Sequence, residues 1–132
     1  MNKDKEIWIF AEQEDGEIAA VSLELLSKGR ELAERLDSRV CALLFGHNIA
    51  HLPAEAIAYG ADIVLLATPV GEFPALLAAM PGTLAEGAVV TDGGSTKQDV
   101  VAAARAHLGA ALPRFVPAHP IAGTEQSGAS AA

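Results

Sequence analysis

The 132-residue chain is 51% hydrophobic and 20% charged, and 17 acidic against 9 basic residues give a formal charge of −8. That length is one domain with enough apolar content for a core. The acidic balance argues against a nucleic-acid backbone as partner, and no apolar run reaches the length of a membrane span. The lone Cys41 rules out an internal disulfide and a Cys-based zinc site, and its apolar surroundings make it a core residue. Met1 to Glu6 lack the apolar stretch of a signal peptide, so a cytoplasmic location is expected.

In chain order, Ile7-Trp8-Ile9-Phe10 is a first buried strand, and Glu14-Asp15-Gly16 makes a turn. A helix is predicted from Leu23 to Leu36 with Ser22 as N-cap and a Val21–Leu26 hydrophobic staple. Val21, Leu25, Gly29, Leu32 and Leu36 follow helical spacing and form its predicted inward stripe, where Gly29 permits close approach to a sheet. Strand two covers Val40 to Phe45. Pro53 and Gly60 bracket a short helix.

Asp62 to Val70 is the stretch around which the chain is organised. It is a continuous apolar run, fit for a strand buried on both faces of a parallel sheet. Phe73, Leu76, Leu77 and Met80 then recur at helical spacing. Ala88 to Asp92 is strand four, and Ser95 with Gln98 has capping-box spacing before a helix over Thr96 to Leu108. Arg114-Phe115-Val116 is strand five, and the tail from Thr124 to Ala132 has no clear period.

Alternation of strand and helix predicts an α/β fold, a three-layer, doubly wound, five-stranded parallel sheet of flavodoxin-like or Rossmann-like type. The expected strand order is 2-1-3-4-5, with 3-2-1-4-5 left open. A ligand would bind beside the switch point between strands one and three. The single domain changes in style along its length: 17 of the 26 charged residues lie in the first 61 positions and 9 in the last 71.

Two sets of motifs divide at that change. Ile7 to Glu12, Val21 to Leu26, Gly29 to Ala33, Leu44 to Asn48 and Ala58 to Asp62 resemble the N-terminal domain of the electron transfer flavoprotein alpha subunit. In that family this domain serves structure and partner contacts, and the flavin lies mainly elsewhere, so FAD is not expected. Asp62 to Val70, Gly87 to Lys97 and His119 to Gly128 resemble the nucleotide-binding domain of prephenate dehydrogenase. That resemblance implies an NAD site beside Thr68, Pro69 and Val70, and Ser95 near nicotinamide and substrate. It also implies that His119 is the catalytic base of an oxidative decarboxylation in tyrosine biosynthesis.

Against this stands the loop after strand one. A dinucleotide site needs a glycine-rich turn there, but Glu12, Glu14, Asp15 and Glu17 surround the one glycine, Gly16. No G-x-G-x-x-G occurs in the chain, and no acid stands at the end of strand two to hold a ribose. The chain also ends just past the His motif, where the dehydrogenases carry a helical domain. His47 and His51 are read as solvated loop residues, with no metal expected. Gly93-Gly94-Ser95 is an anion-binding turn or simply a capped one.

The most economical reading is an engineered chimera of two half-domains, residues 1–61 and 62–132, with vestigial Ser95 and His119, no cofactor and no activity of its own. The alternatives are a remnant NAD-binding domain of a prephenate dehydrogenase and an electron-transfer-flavoprotein-like module that docks a protein partner. Apolar surface that either parent would bury elsewhere predicts a homodimer or a monomer–dimer mixture.

Overall fold

The computed structural model describes residues 5–119. The tail and the residues after His119 in its motif lie outside the described residues. Five parallel strands, β1 (Glu6–Phe10), β4 (Arg39–Phe45), β5 (Ile63–Ala67), β6 (Val89–Asp92) and β7 (Phe115–Val116), form one sheet. A small antiparallel hairpin, β2 (Gln13–Glu14) and β3 (Glu17–Ile18), follows β1. Its turn residues Asp15 and Gly16 both have positive φ, 52° and 84°, as a tight hairpin turn requires. The helices are α1 (Ala20–Leu36), α2 (Leu52–Ala58), α3 (Phe73–Ala78) and α4 (Lys97–His107).

The strand order is β1-β4-β5-β6-β7. The sheet strands therefore stand side by side in the order the chain makes them, and the expected order 2-1-3-4-5 is corrected. The double winding falls with it. A right-handed crossover to the next strand in a constant direction always lands on the same face of the sheet. Side-chain parity agrees. Ile9, Val40, Ala42, Leu44, Val64, Leu66, Val90, Asp92 and Phe115 share one face, and each is at most 8% exposed. All of them but Asp92 belong to a single hydrophobic core with Leu26, Leu52, Phe73, Leu77, Val100 and Leu108.

The opposite face carries Trp8, Phe10, Phe45 and Val116, which are 55%, 59%, 41% and 52% exposed. The molecule is thus two layers deep among its described residues, with one sheet face open. The apolar run in β5 does not distinguish these cases, because its alternate residues Ile63 and Leu65 lie on the open face.

Helix α1 corrects a second expectation. Ser22, Leu26, Gly29 and Ala33 are its buried residues, and Val21, Leu25, Leu32 and Leu36 are about half exposed. Of the predicted stripe only Gly29 points inward. Apart from Leu26, small residues hold the inner face because the helix lies close to the sheet: a Cβ on Gly29 would meet Ile9 Cδ1 at 2.6 Å. Ser22 is no cap, since the helix begins at Ala20 after Ala19; its buried Oγ instead accepts the Glu12 N–H at 2.9 Å. With Val21 exposed, no staple forms.

The predicted stripe of α3 is confirmed, with Phe73, Leu76, Leu77 and Met80 all at most 1% exposed. At α4 the N-cap is Thr96, which makes no side-chain cap bond, so the expected Ser95–Gln98 box is absent.

Asp62 ties the two halves together. Its backbone N–H donates to the Val40 carbonyl at 2.9 Å, and its own carbonyl accepts from Val89 N–H at 2.9 Å. Its Oδ2 accepts from Val40 N–H at 2.9 Å and from Arg30 Nη1 of α1 at 2.7 Å. Gly60, at φ 110°, lets the chain pass under that arginine, where a Cβ would stand 2.9 Å from Arg30 Cβ.

Candidate functional site at the strand ends

In parallel α/β sheets, chemistry gathers at the carboxyl ends of the strands. Here that edge has two parts. After β1 and β4 it is closed by the chain itself. Ala19 N–H donates to the Glu12 carbonyl at 2.8 Å, and the Gln13 amide donates to the Phe45 carbonyl at the end of β4. The hairpin therefore stands where a diphosphate-binding turn would be, with Glu12, Glu14 and Glu17 exposed on it.

His51 lies against this hairpin, with Nε2 3.0 Å from the Gly16 carbonyl and 3.5 Å from a Glu17 oxygen. His47 Nδ1 is 2.8 Å from Glu72. Both histidines engage protein groups. No cluster of three metal-ligating side chains occurs among the described residues.

After β5, β6 and β7 the edge is built around Asp92, which is fully buried. Its Oδ2 accepts from Gly94 N–H at 2.9 Å and pairs with Lys97 Nζ. Its Oδ1 accepts from Ala118 N–H at 3.2 Å. One carboxylate thereby joins the end of β6, the first turn of α4 and the segment that follows β7. The buried charge is matched by one ammonium and two backbone donors, which offset its desolvation. Glycine at position 94 keeps this turn uncrowded, since a Cβ would stand 3.1 Å from Asp92 Oδ2 and 3.2 Å from Val100 Cγ2, close enough that these side chains would have to shift. The Gly94 N–H that an external anion would use is already occupied by this carboxylate.

The residues expected from sequence sit around that hub. Thr68 follows β5 and is buried, and its Oγ1 has no hydrogen-bond partner. Pro69 is exposed, and Val70 is half-buried at the start of a 3₁₀ turn. Ser95 and His119 are both exposed. The topology thus brings Thr68, Ser95 and His119 to one sheet edge. Among the described residues, no hydrogen bond links Ser95 or His119 to another side chain. Asp92 and Lys97 were not singled out from sequence as site residues. The available signal was an acid closing an apolar strand, followed by Gly-Gly and a lysine five positions on.

Cys41 is buried on the open-face side of β4, and burial, with Glu6 adding to it and Arg39 opposing, pushes its thiol up to about 12. Such a thiol stays protonated and is a poor nucleophile. Among the described residues no helix is long and apolar enough to cross a membrane.

These elements make an α/β protein with a five-stranded, parallel, Rossmann-like sheet. Comparison with known proteins makes this more specific. Residues 42–132 match the family model for the prephenate dehydrogenase nucleotide-binding domain, and the chain belongs to that family. The match reaches back into β4. The crystal structure of prephenate dehydrogenase from A. aeolicus in complex with hydroxyphenyl propionate and NAD+ superposes with a TM-score of 0.51 at 23% identity. It covers 96% of this chain and 45% of that one, and at this identity it supports the fold.

The chain is also similar to electron transfer flavoprotein subunit alpha of Clostridium acetobutylicum, 51% identical over 63 residues. That alignment spans 48% of this chain and 19% of the relative. The acryloyl-CoA reductase electron transfer subunit beta of Anaerotignum propionicum is 36% identical over 66 residues, 50% of this chain and 18% of the relative. The chain therefore spans about a fifth of the length of these curated relatives. The two resemblances seen in the motifs are both present.

Proposed function

We propose that this protein is a scaffold in which two half-domains, joined by engineering, share one sheet and carry no reaction of their own. The observation that supports this reading is the unidirectional strand order. A dinucleotide lies in the crevice where strand order reverses, because neighbouring loops there diverge to opposite faces. A sheet whose crossovers all return on one face opens no such crevice. The first strand end, moreover, presents acids where a diphosphate needs donors.

A second reading, a remnant NAD-binding domain, draws support from the family match and from Thr68, Ser95 and His119 sharing one edge. In that case His119 would take a proton from substrate and Ser95 would orient it, while Asp92 would hold the loops that carry both. The experiment is an NADH fluorescence titration of the purified chain, preceded by an absorbance spectrum for bound flavin. The scaffold reading expects neither saturable binding nor flavin absorbance. Tight, saturable NADH binding would overturn it and make prephenate turnover the next assay.

A further inference from the structure

The two edges of the sheet are not alike. β7 is two residues long and lies between Pro113 and Pro117, a short, proline-flanked edge of the kind that resists pairing. β1 is five residues, Glu-Ile-Trp-Ile-Phe, and among the described residues it pairs only with β4. Half of its backbone donors and acceptors therefore point outward, with no proline, bulge or lysine within the strand to block them.

Beside this edge lies the apolar flank of α1. On a helical wheel at 100° per residue, Val21, Leu25, Leu32 and Leu36 fall on one side of the buried face. Arg30, on the other side, reaches toward β5 to bind Asp62. The apolar flank therefore faces away from β5, over the free edge of β1. Its four residues are 53%, 50%, 46% and 55% exposed.

We propose that a second copy of this chain covers this edge. In the resulting dimer β1 pairs antiparallel with β1 of the other copy, and the two α1 helices pack against each other. Three features make the surface self-complementary, as a two-fold interface requires. First, the stripe is symmetric in sequence about the midpoint between Lys28 and Gly29. In an antiparallel pair Val21 meets Leu36 of the second copy, and Leu25 meets its Leu32.

Second, the midpoint lies over the middle of β1, since Gly29 sits against Ile9. One two-fold axis normal to the sheet near Trp8 and Ile9 therefore serves strands and helices together. Third, the spacing closes. α1 lies astride β1 and β4, about half a strand spacing inside the edge. One further strand spacing between the two β1 strands places the helix axes about 10 Å apart, within the usual packing range.

The aromatic rings of Trp8 and Phe10 from both copies would then share the open face as cross-strand neighbours. An interface on the order of 1,000 Å² in total stands at the weak, reversible end of the range for protein–protein contacts. The Lys28–Glu31 pair stays at the solvent rim.

Sedimentation velocity on the full chain, from micromolar to submillimolar concentration, tests this directly. A reversible dimer is expected, and Leu25→Glu with Leu32→Glu should raise its dissociation constant by about tenfold or more. A second variant, Leu25→Cys with Leu32→Cys in a Cys41→Ala background, should oxidise to a covalent dimer. Two turns of helix separate those cysteines by about 10 Å, too far for a bond within one chain. A chain that remains monomeric throughout overturns the proposal. So does a dimer indifferent to the glutamates, or one that the cysteine pair fails to crosslink.

Discussion

The carboxyl edge of the sheet is closed in two ways, and the difference separates the two halves of the molecule. At β1 and β4 the strand ends are covered by neutral contacts. A hairpin folds back, Gln13 caps a carbonyl and Ser22 accepts one amide. At β6 and β7 a buried carboxylate holds three groups at once. The first arrangement fills the edge, and the second organises it. Only the second keeps candidate chemical groups, Ser95 and His119, exposed around a fixed centre.

The largest test of this contrast is Asp92→Ala. It leaves Lys97 and the Gly94 and Ala118 amides without their acceptor, and should cost about 3 kcal/mol in a urea titration. A loss under about 1 kcal/mol would mean that the second half does not depend on its buried acid. At pH 10 a smaller effect should come from Cys41. Its pKa is raised in the folded state, so folding holds its proton more tightly, and stability is full below about pH 9. As pH rises from there toward about 12 the unfolded chain ionises first, and stability falls by roughly 1.4 kcal/mol per pH unit. Alkaline melts of the wild type against Cys41→Ala should diverge above pH 9, and parallel curves would contradict the assignment.

Arg30→Ala should have the smallest effect. It removes the clasp between the halves, but Arg30 and Asp62 are about a third exposed, so the loss should be about 0.5–1 kcal/mol. A loss of several kcal/mol would show that the halves hold together through this one contact rather than through the shared core.

The helices and strands of this fold were largely legible in the residues, because turn signals and apolar spacing are local. The order of the strands was not. An apolar run such as Ile63 to Ala67 looks the same whether its second face meets helices or solvent. The stripe of α1 misled for a related reason. The larger side chains Val21, Leu25, Leu32 and Leu36 carry the stronger periodic signal, whereas close packing selected Ser22, Gly29 and Ala33 for the inside. At the candidate site, family motifs pointed to Thr68, Ser95 and His119. Asp92 was passed over because an acid closing a strand reads as the start of a turn, and only the fold shows what converges on it.

The unidirectional strand order also bears on how the chain folds. Ile7 pairs with Val40, Ala42 with Val64, Val64 with Val90, and Val90 with Phe115. Among the described residues every sheet pairing therefore joins consecutive units, and none needs a distant segment to be inserted between strands already formed. A doubly wound sheet must bring together strands from well-separated parts of the chain, and the entropy of closing those loops slows folding. Here each β-α unit finds its template in the unit just completed, so the sheet can grow by successive addition in the manner of a short repeat array.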